Sequence, residues 1–294
     1  MPESEPVTGN MQLGGRVHTA LEGWYGYGLD PLAVIVLLYE IELQAHPDDT
    51  KELRAEQDLA TAMVEGYVEW AAAEGIDAES TVVATETDMQ IPMPGRPVIL
   101  RARLDAVRQL RDGGLVWDDY KTSDSFAAAE TLQLNPQFRF YSLMQRLAAP
   151  EGPPVLGGRV VTLRRVKRTS KSKPPYYARD EFRFNQDVLE AEWRRVSQVV
   201  GEILAARQAL DDAAVRGVSL DELNMIQQSV LRPNLMPQDC SWRCPFSKGL
   251  CPMMDDGSNW PLALAQSGRW RQDDPYSYYR NDDLSNVRSR LASQ

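Results

Sequence analysis

Asp105, Asp119 and Lys121 are the residues of this chain whose types and spacing could do chemistry. Asp105 interrupts an apolar, alternating stretch, Val98 to Val107, and an unpartnered carboxylate buried there would be costly. Asp119 and Lys121 stand two apart at the end of Leu115 to Tyr120, so on a strand they project from one face. Asp112-Gly113-Gly114 between the two stretches is a hairpin signal. The length of that turn sets the register. A loop at 112–114 places Asp105 opposite Lys121, and a loop at 111–113 places it opposite Asp119. Either puts all three groups on one face, whereas a two-residue Asp-Gly loop turns Asp105 to the other face unless a bulge intervenes. Two carboxylates and an ammonium on a shared face make a divalent-cation site with a charge-stabilising cation beside it. Hard oxygen ligands favour Mg²⁺ or Mn²⁺. A D-x-K pair alone is ordinarily a solvated ion pair; the acid inside the apolar strand is what weighs against that.

The elements that must position these groups are legible on either side. Val17, Leu21 and Trp24 fall at helical spacing, and Gly26 and Gly28 stop the run. Asp30-Pro31 starts a second helix, as N-cap and N1 residue, which reaches Ala45 before His46-Pro47. A third spans about Asp49 to Glu74. Thr81 to Thr85 is β-branched and reads as a strand. After the hairpin, Phe126 to Leu147 returns to helix. Leu156 to Val166 and Tyr176 to Phe184 are further strands joined by a basic loop. Helices follow at Asp187 to Leu210 and Ser219 to Val230, the latter with a capping box of Ser219 and Glu222. From Pro233 on, regular structure is not expected, and residues 255–294 read as a polar, aromatic tail that docks or stays loose. The order gives an α/β fold with one central sheet, in a single domain over residues 1–254.

Composition sets the outer limits. The chain has 294 residues, 32 Lys and Arg against 42 Asp and Glu, and a formal charge of −10. The start MPESEPVTGN lacks a secretory signal, and the most apolar run, Leu32 to Leu38, is too short to span a bilayer. No membrane partner is therefore expected, and no G-x-x-x-x-G-K-[ST] phosphate loop occurs. Cys240, Cys244 and Cys251 lie close together beside prolines, which suits metal ligation better than disulfides and indicates a reducing, cytoplasmic setting. The acidic total speaks against nucleic acid as a partner, yet it hides a strip. Residues 159–183 carry nine Lys and Arg, among them Arg164, Arg165, Lys167, Arg168, Lys171 and Lys173, against Asp180 and Glu181. With Tyr176-Tyr177 for aromatic stacking, that strip reads as a phosphate-tracking arm.

The segments LRARLDAV, GLVWDDYKTS and LNPQFRFYSLMQ resemble the RecB-like branch of the PD-(D/E)XK nucleases. That branch has an Asp in one strand, Asp-Tyr-Lys-Thr in the next, and Gln-x-x-x-Tyr on the following helix, here Gln137 and Tyr141. Its early Gly-x-x-His-x-x-Leu-Glu helix is matched by GGRVHTALEGWY, with His18, Leu21 and Glu22 in register. A Glu one strand before the motif Asp is matched by Glu86 in ATETDM. The likeness covers about residues 14 to 185, with Ala102 where the family often has Gly. It implies a PD-(D/E)XK nuclease core, a central mixed sheet with a catalytic β-hairpin flanked by helices. It implies that His18, Glu86, Asp105 and Asp119 hold Mg²⁺ or Mn²⁺, that Lys121 orients the attacking water or stabilises the developing charge, and that Gln137 and Tyr141 contact DNA or brace Lys121.

The activity so implied is that of a metal-dependent DNA exonuclease in recombination, repair or phage replication. It resembles the stand-alone phage and CRISPR-associated enzymes, some of which form rings or bind a helicase. The competing class is a catalytically weak DNA-end-binding or interaction protein that retains the nuclease fold; cleavage assays on the wild type, Asp119→Ala and Lys121→Ala separate the two. In the family, three C-terminal cysteines join a fourth, placed before the His motif, to hold a [4Fe–4S] cluster. This chain has three, so the likeness leaves a cluster of ancestry, a lost cluster, or zinc with a non-Cys ligand.

Overall fold

In the computed structural model, which describes residues 7–230 and 258–266, the apolar spacing of Val17, Leu21 and Trp24 becomes helix α1, Asn10–Tyr27. Gly28 ends it in the left-handed conformation, with φ 67°, where a side chain would be strained. Helix α2, Pro31–Ala45, starts on Asp30, whose carboxylate accepts the Leu32 N–H. A single 3-10 turn, Pro47–Asp49, leads into α3, Thr50–Ala73, and His46 before it is exposed, as a surface residue should be.

Five strands make one sheet: β1 Ser80–Pro92, β2 Ile99–Leu110, β3 Leu115–Ser123, β4 Val155–Arg164 and β5 Tyr177–Arg183. They lie in chain order, antiparallel except for the parallel β3–β4 pair, so the sheet is mixed as expected. The β3–β4 crossover carries α4, Ala129–Gln133, and α5, Pro136–Ala148. This corrects the single helix expected over 126–147. Asn135 caps a new helix by accepting the Gln137 N–H at 2.9 Å, and Pro136 occupies its first turn, where its missing N–H costs nothing.

Helices α1, α2 and α3 bury one face of the sheet. Leu13, Val17, Leu21, Ile35, Leu53 and Met63 form a core there with Ala106, Tyr120, Val161 and Leu163. Tyr120 belongs to this core, 3% exposed and stacked on Tyr25, as its alternation away from Asp119 requires. The opposite face is closed by α5. Trp117 donates its Nε1–H to Ser142 Oγ at 2.8 Å and packs on Phe138 at 5.3 Å between ring centroids. Its Cα partner is Gly158, where an added Cβ would stand 2.0 Å from the indole. Gly158→Ala is accordingly expected to cost about 1–3 kcal/mol by overpacking. A urea midpoint and tryptophan fluorescence both unchanged in that variant would contradict this packing.

A buried ionic network crosses the same sheet from β2 to β4. Asp118 accepts the Arg108 Nε–H and a fork from Arg159, Nε at 2.6 Å and Nη2 at 3.1 Å. Arg108 also reaches Asp77 Oδ1 at 2.6 Å. Arg108, Asp118 and Arg159 are all under 5% exposed. Arg159 therefore does not belong to the solvent-facing basic strip in which the sequence places it.

The compact unit that carries the sheet ends at Glu192, and a second begins at Trp193. Helix α6 spans Gln186–Arg216 and α7 Leu220–Val230, where Ser219 Oγ accepts the Glu222 N–H at 3.2 Å as a cap. In the second unit Trp260 opens α8, Trp260–Gln266, and donates to Asn224 Oδ1 on α7 at 3.1 Å. The described part of the expected tail is thus helical and docked on α7. Among the described residues no helix is long and apolar enough to cross a membrane.

Candidate metal centre

The β2–β3 turn fixes the register left open by the sequence. Gly113 donates to Leu110 O at 2.9 Å, Leu110 donates to Gly114 O at 2.8 Å, and Gly113 has φ 87°. The loop is 111–113, a tight turn closed by a left-handed glycine. The ladder then runs from Gln109↔Leu115 to Ala106↔Asp118 and stops. The next positions, Asp105 and Asp119, face each other across strands that part. Asp105 Oδ2 takes the N–H that the ladder has released, that of Tyr120, at 2.7 Å.

On the other side of β2, a bulge sets Glu86. The β1–β2 register shifts between Val82 and Ala84, so the later pairs Thr85↔Ala106 and Thr87↔Leu104 bracket Glu86 opposite Asp105. Without that extra residue Glu86 would slip one place and leave Asp105's face. Glu86 itself has φ 45°, the one positive value at a non-glycine among the described residues. Such a conformation costs of order 1 to 3 kcal/mol and persists where surroundings impose it. Helix α1 supplies His18, whose Nδ1 is 3.5 Å from Asp105 Oδ2. One ligand atom each from His18, Glu86 and Asp105 lie within 4.8 Å of one another, a nitrogen and two carboxylate oxygens.

Asp119 sits next to this trio and is engaged by Lys121. Nζ lies 3.0 Å from Oδ1, as a hydrogen bond, and 2.9 Å from Oδ2, as an ion-pair contact in which Oδ2 accepts no hydrogen bond. Asp119 is 2% exposed, so a buried carboxylate oxygen stands without a hydrogen bond at the edge of a histidine–carboxylate cluster. That donor set fits a hard divalent cation, and His18, Glu86 and Asp105 are placed so that they could hold one. Gln137 donates to Tyr141 Oη at 2.6 Å, and Tyr141 meets the Trp117 ring edge-on at 5.6 Å, two residues from Asp119 along β3.

The charges are crowded, and protonation follows. Burial pushes Asp119 up to about 6, with Asp105 adding to it and Lys121 opposing. Burial and the charge of Asp105 push Glu86 up to about 7 against the pull of Arg103. Burial would lower His18, but Asp105 outweighs it and holds the imidazole near 9. Asp105, penalised by burial, is nonetheless kept below the usual carboxylate range by His18 and the Tyr120 N–H. Glu22, one turn beyond His18 and 9% exposed, adds to the negative potential at Glu86.

Two features of this site escape sequence pattern. One is Arg103, whose Nε pairs with Glu86 Oε2. Its signal was the alternation Arg101, Arg103, Asp105, three residues on one face of β2. The other is the left-handed turn at Glu86, which no residue type announces.

The basic strip is more nearly neutral in space than along the chain. Arg165 forks onto Asp124, with Nε at 3.0 Å and Nη2 at 2.7 Å. Lys167 meets Asp58 at 3.3 Å, and Arg168 meets Glu69 at 2.6 Å. Arg164 donates to the carbonyls of Lys173 and Pro175 and so shapes the loop. Lys171 and Lys173 are exposed. The loop leaves the end of β4 beside Ser123, since Arg165 N donates to Ser123 O at 2.8 Å. Tyr177 cannot stack on a base as expected: it is 8% exposed, with its hydroxyl on Met63 O. Tyr176 is half-buried against Ser172. Cys240, Cys244 and Cys251 lie outside the described residues.

The family model of the PD-(D/E)XK nuclease superfamily matches residues 1–252. No curated protein matches the chain.

Proposed function

Because the chain belongs to the PD-(D/E)XK nuclease superfamily, we propose that it is a divalent-metal-dependent deoxyribonuclease of RecB-like type, acting on DNA ends as an exonuclease in recombination, repair or phage replication. The observation that carries this reading is the His18, Glu86 and Asp105 cluster beside the Asp119–Lys121 pair. His18, Glu86 and Asp105, joined by Asp119, would hold Mg²⁺ or Mn²⁺, which supplies an acidified water and a polarised phosphate.

The chain's own residues do the rest. Tyr120 fixes Asp105 through its N–H, and His18 fixes it from α1. Lys121, its side chain 41% exposed, keeps Nζ at the mouth of the site, where it can donate to the attacking water or to the charge growing on the phosphate oxygens. Gln137 and Tyr141 brace one another from α5 and offer a hydroxyl and an amide to the substrate backbone. In-line attack leaves a 5′-phosphate. Arg164, Arg165, Lys167, Arg168, Lys171 and Lys173 would receive the DNA beyond the cut, with Lys171 and Lys173 the most accessible of them.

End-labelled single- and double-stranded DNA incubated with Mg²⁺ or Mn²⁺ tests the activity. Stepwise shortening from an end supports the reading, and binding without any cleavage in either ion sinks it.

Metal affinity has a separate signature. At pH 5.5 the His18, Glu86 and Asp119 groups, near 9, 7 and 6, all hold protons that must leave before they can ligate. At pH 8 only His18 does. Mn²⁺ should therefore bind at least about tenfold more tightly at pH 8 than at pH 5.5. Calorimetric titration at the two pH values decides this, and equal affinities would count against the assigned ligands.

A further inference from the structure

Arg103 lies two residues before Asp105 on β2 and so shares its face. Among the described residues it is the cation nearest Glu86, with Nε on Oε2, and its side chain is 30% exposed against 14% for Glu86. Arg101 continues the row on the same face and reaches Asp88 at 3.2 Å. Beyond Ala106 and Asp118 the described ladder between β2 and β3 ends, so this arginine row borders the opening that holds Asp119 and Lys121.

A guanidinium and a divalent cation placed on one carboxylate repel each other. A guanidinium released from that carboxylate is also well shaped for a phosphate, because its planar fork matches phosphate oxygens. We propose that Arg103 is a positioning and phosphate-contacting residue: it holds Glu86 while no divalent ion is bound, and it turns to a backbone phosphate of the substrate once Glu86 serves the ion. The inference rests on the reading of His18, Glu86 and Asp105 as a divalent-cation site. It makes metal and DNA binding mutually reinforcing through one side chain.

The sign of one measurement separates this role from simple bracing of Glu86. Mn²⁺ is titrated calorimetrically into the full chain without DNA, for the wild type, Arg103→Gln and Arg103→Lys. Arg103→Gln is expected to bind Mn²⁺ about three- to tenfold more tightly, because a competing charge is gone. Arg103→Lys, which keeps the charge, should stay near the wild type. Fluorescence anisotropy with a labelled oligonucleotide supplies the second arm. Arg103→Gln should lose about three- to tenfold in DNA affinity with Ca²⁺ present and clearly less in chelator. Unchanged or weaker Mn²⁺ binding by Arg103→Gln overturns the proposal, as does an equal loss of DNA affinity with and without the ion. A wild type that binds no Mn²⁺ at all overturns the cation-site reading itself, and is told apart from those failures by the wild-type titration alone. Should Arg103→Gln melt early, Glu86→Gln provides the same comparison from the other partner. In that background Arg103 no longer has Glu86 to hold, so Arg103→Lys should change DNA affinity by the same factor in chelator and in Ca²⁺, and a Ca²⁺-specific gain from Arg103 would overturn the coupling.

Discussion

Lys121→Ala should lower the single-turnover rate of DNA cleavage by roughly 10²–10³-fold, the usual cost of removing one preorganised donor from a developing oxyanion. The loss has two physical parts. The first is the missing Nζ, which stands 41% exposed at the mouth of the site, where a phosphate would arrive. The second concerns Asp119. Burial already holds that carboxyl at about 6, and Lys121 is the chief group keeping it from rising further. Without Lys121, Asp119 retains its proton to higher pH. Sign and direction follow: the residual activity of the variant should need a more alkaline pH than the wild type to reach its plateau. Single-turnover kinetics across pH measure both parts at once. A rate within about threefold of wild type, or a plateau that moves to lower pH, would remove Lys121 from the mechanism. The fold should tolerate the change, because the lysine side chain is 41% exposed and the buried Asp119, left without it, can keep its proton.

What could be read from the sequence was set by how local its causes are. Helices α1 to α3 and the existence of the hairpin follow from glycine, proline and apolar spacing within a few residues, whereas its register, open between several turn lengths in the sequence, is set by the 111–113 loop of the structure. The α4–α5 break obeys the same local rule, an Asn135-Pro136 start inside the stretch that reads as one helix. The site depends on non-local facts. Glu86 meets Asp105 only because an extra residue near Val83 shifts the β1 register. His18 reaches Asp105 only because α1 packs over a sheet whose strands part there. Charge counts along the chain failed for a related reason. Arg159 and Asp118 are 41 residues apart in sequence but adjacent on parallel strands, so a cation assigned to a DNA-facing strip is instead a core ion pair. Likewise Asp58 and Glu69 on α3 offset Lys167 and Arg168, and no window of the sequence contains both partners.

The adjacent aspartates of the Asp118-Asp119 pair should separate into a structural and a chemical residue, and the larger stability effect belongs to Asp118. Alternation on β3 sends Asp119 toward the metal centre and Asp118 to the opposite face, between Arg108 and Arg159. Asp118→Ala leaves two guanidinium groups buried with their shared carboxylate gone. Arg108 retains Asp77 at 2.6 Å, so the penalty falls mainly on Arg159, which is 4% exposed. Breaking a buried pair from one side costs about 3–5 kcal/mol, because the remaining charge is desolvated without compensation. Urea denaturation should record a loss of that size. Asp119→Ala removes a carboxyl that burial already disfavours in its charged form, so the same experiment should show little loss or a slight gain in stability. Activity should invert the order. Asp118→Ala, assayed well below its unfolding transition, should cleave at a rate near wild type per folded molecule, whereas Asp119→Ala should be inactive yet well folded. Equal stability losses in the two variants would mean that Asp118 is not bearing the arginine pair. A folded but inactive Asp118→Ala would mean that the two faces of β3 have been assigned the wrong way round.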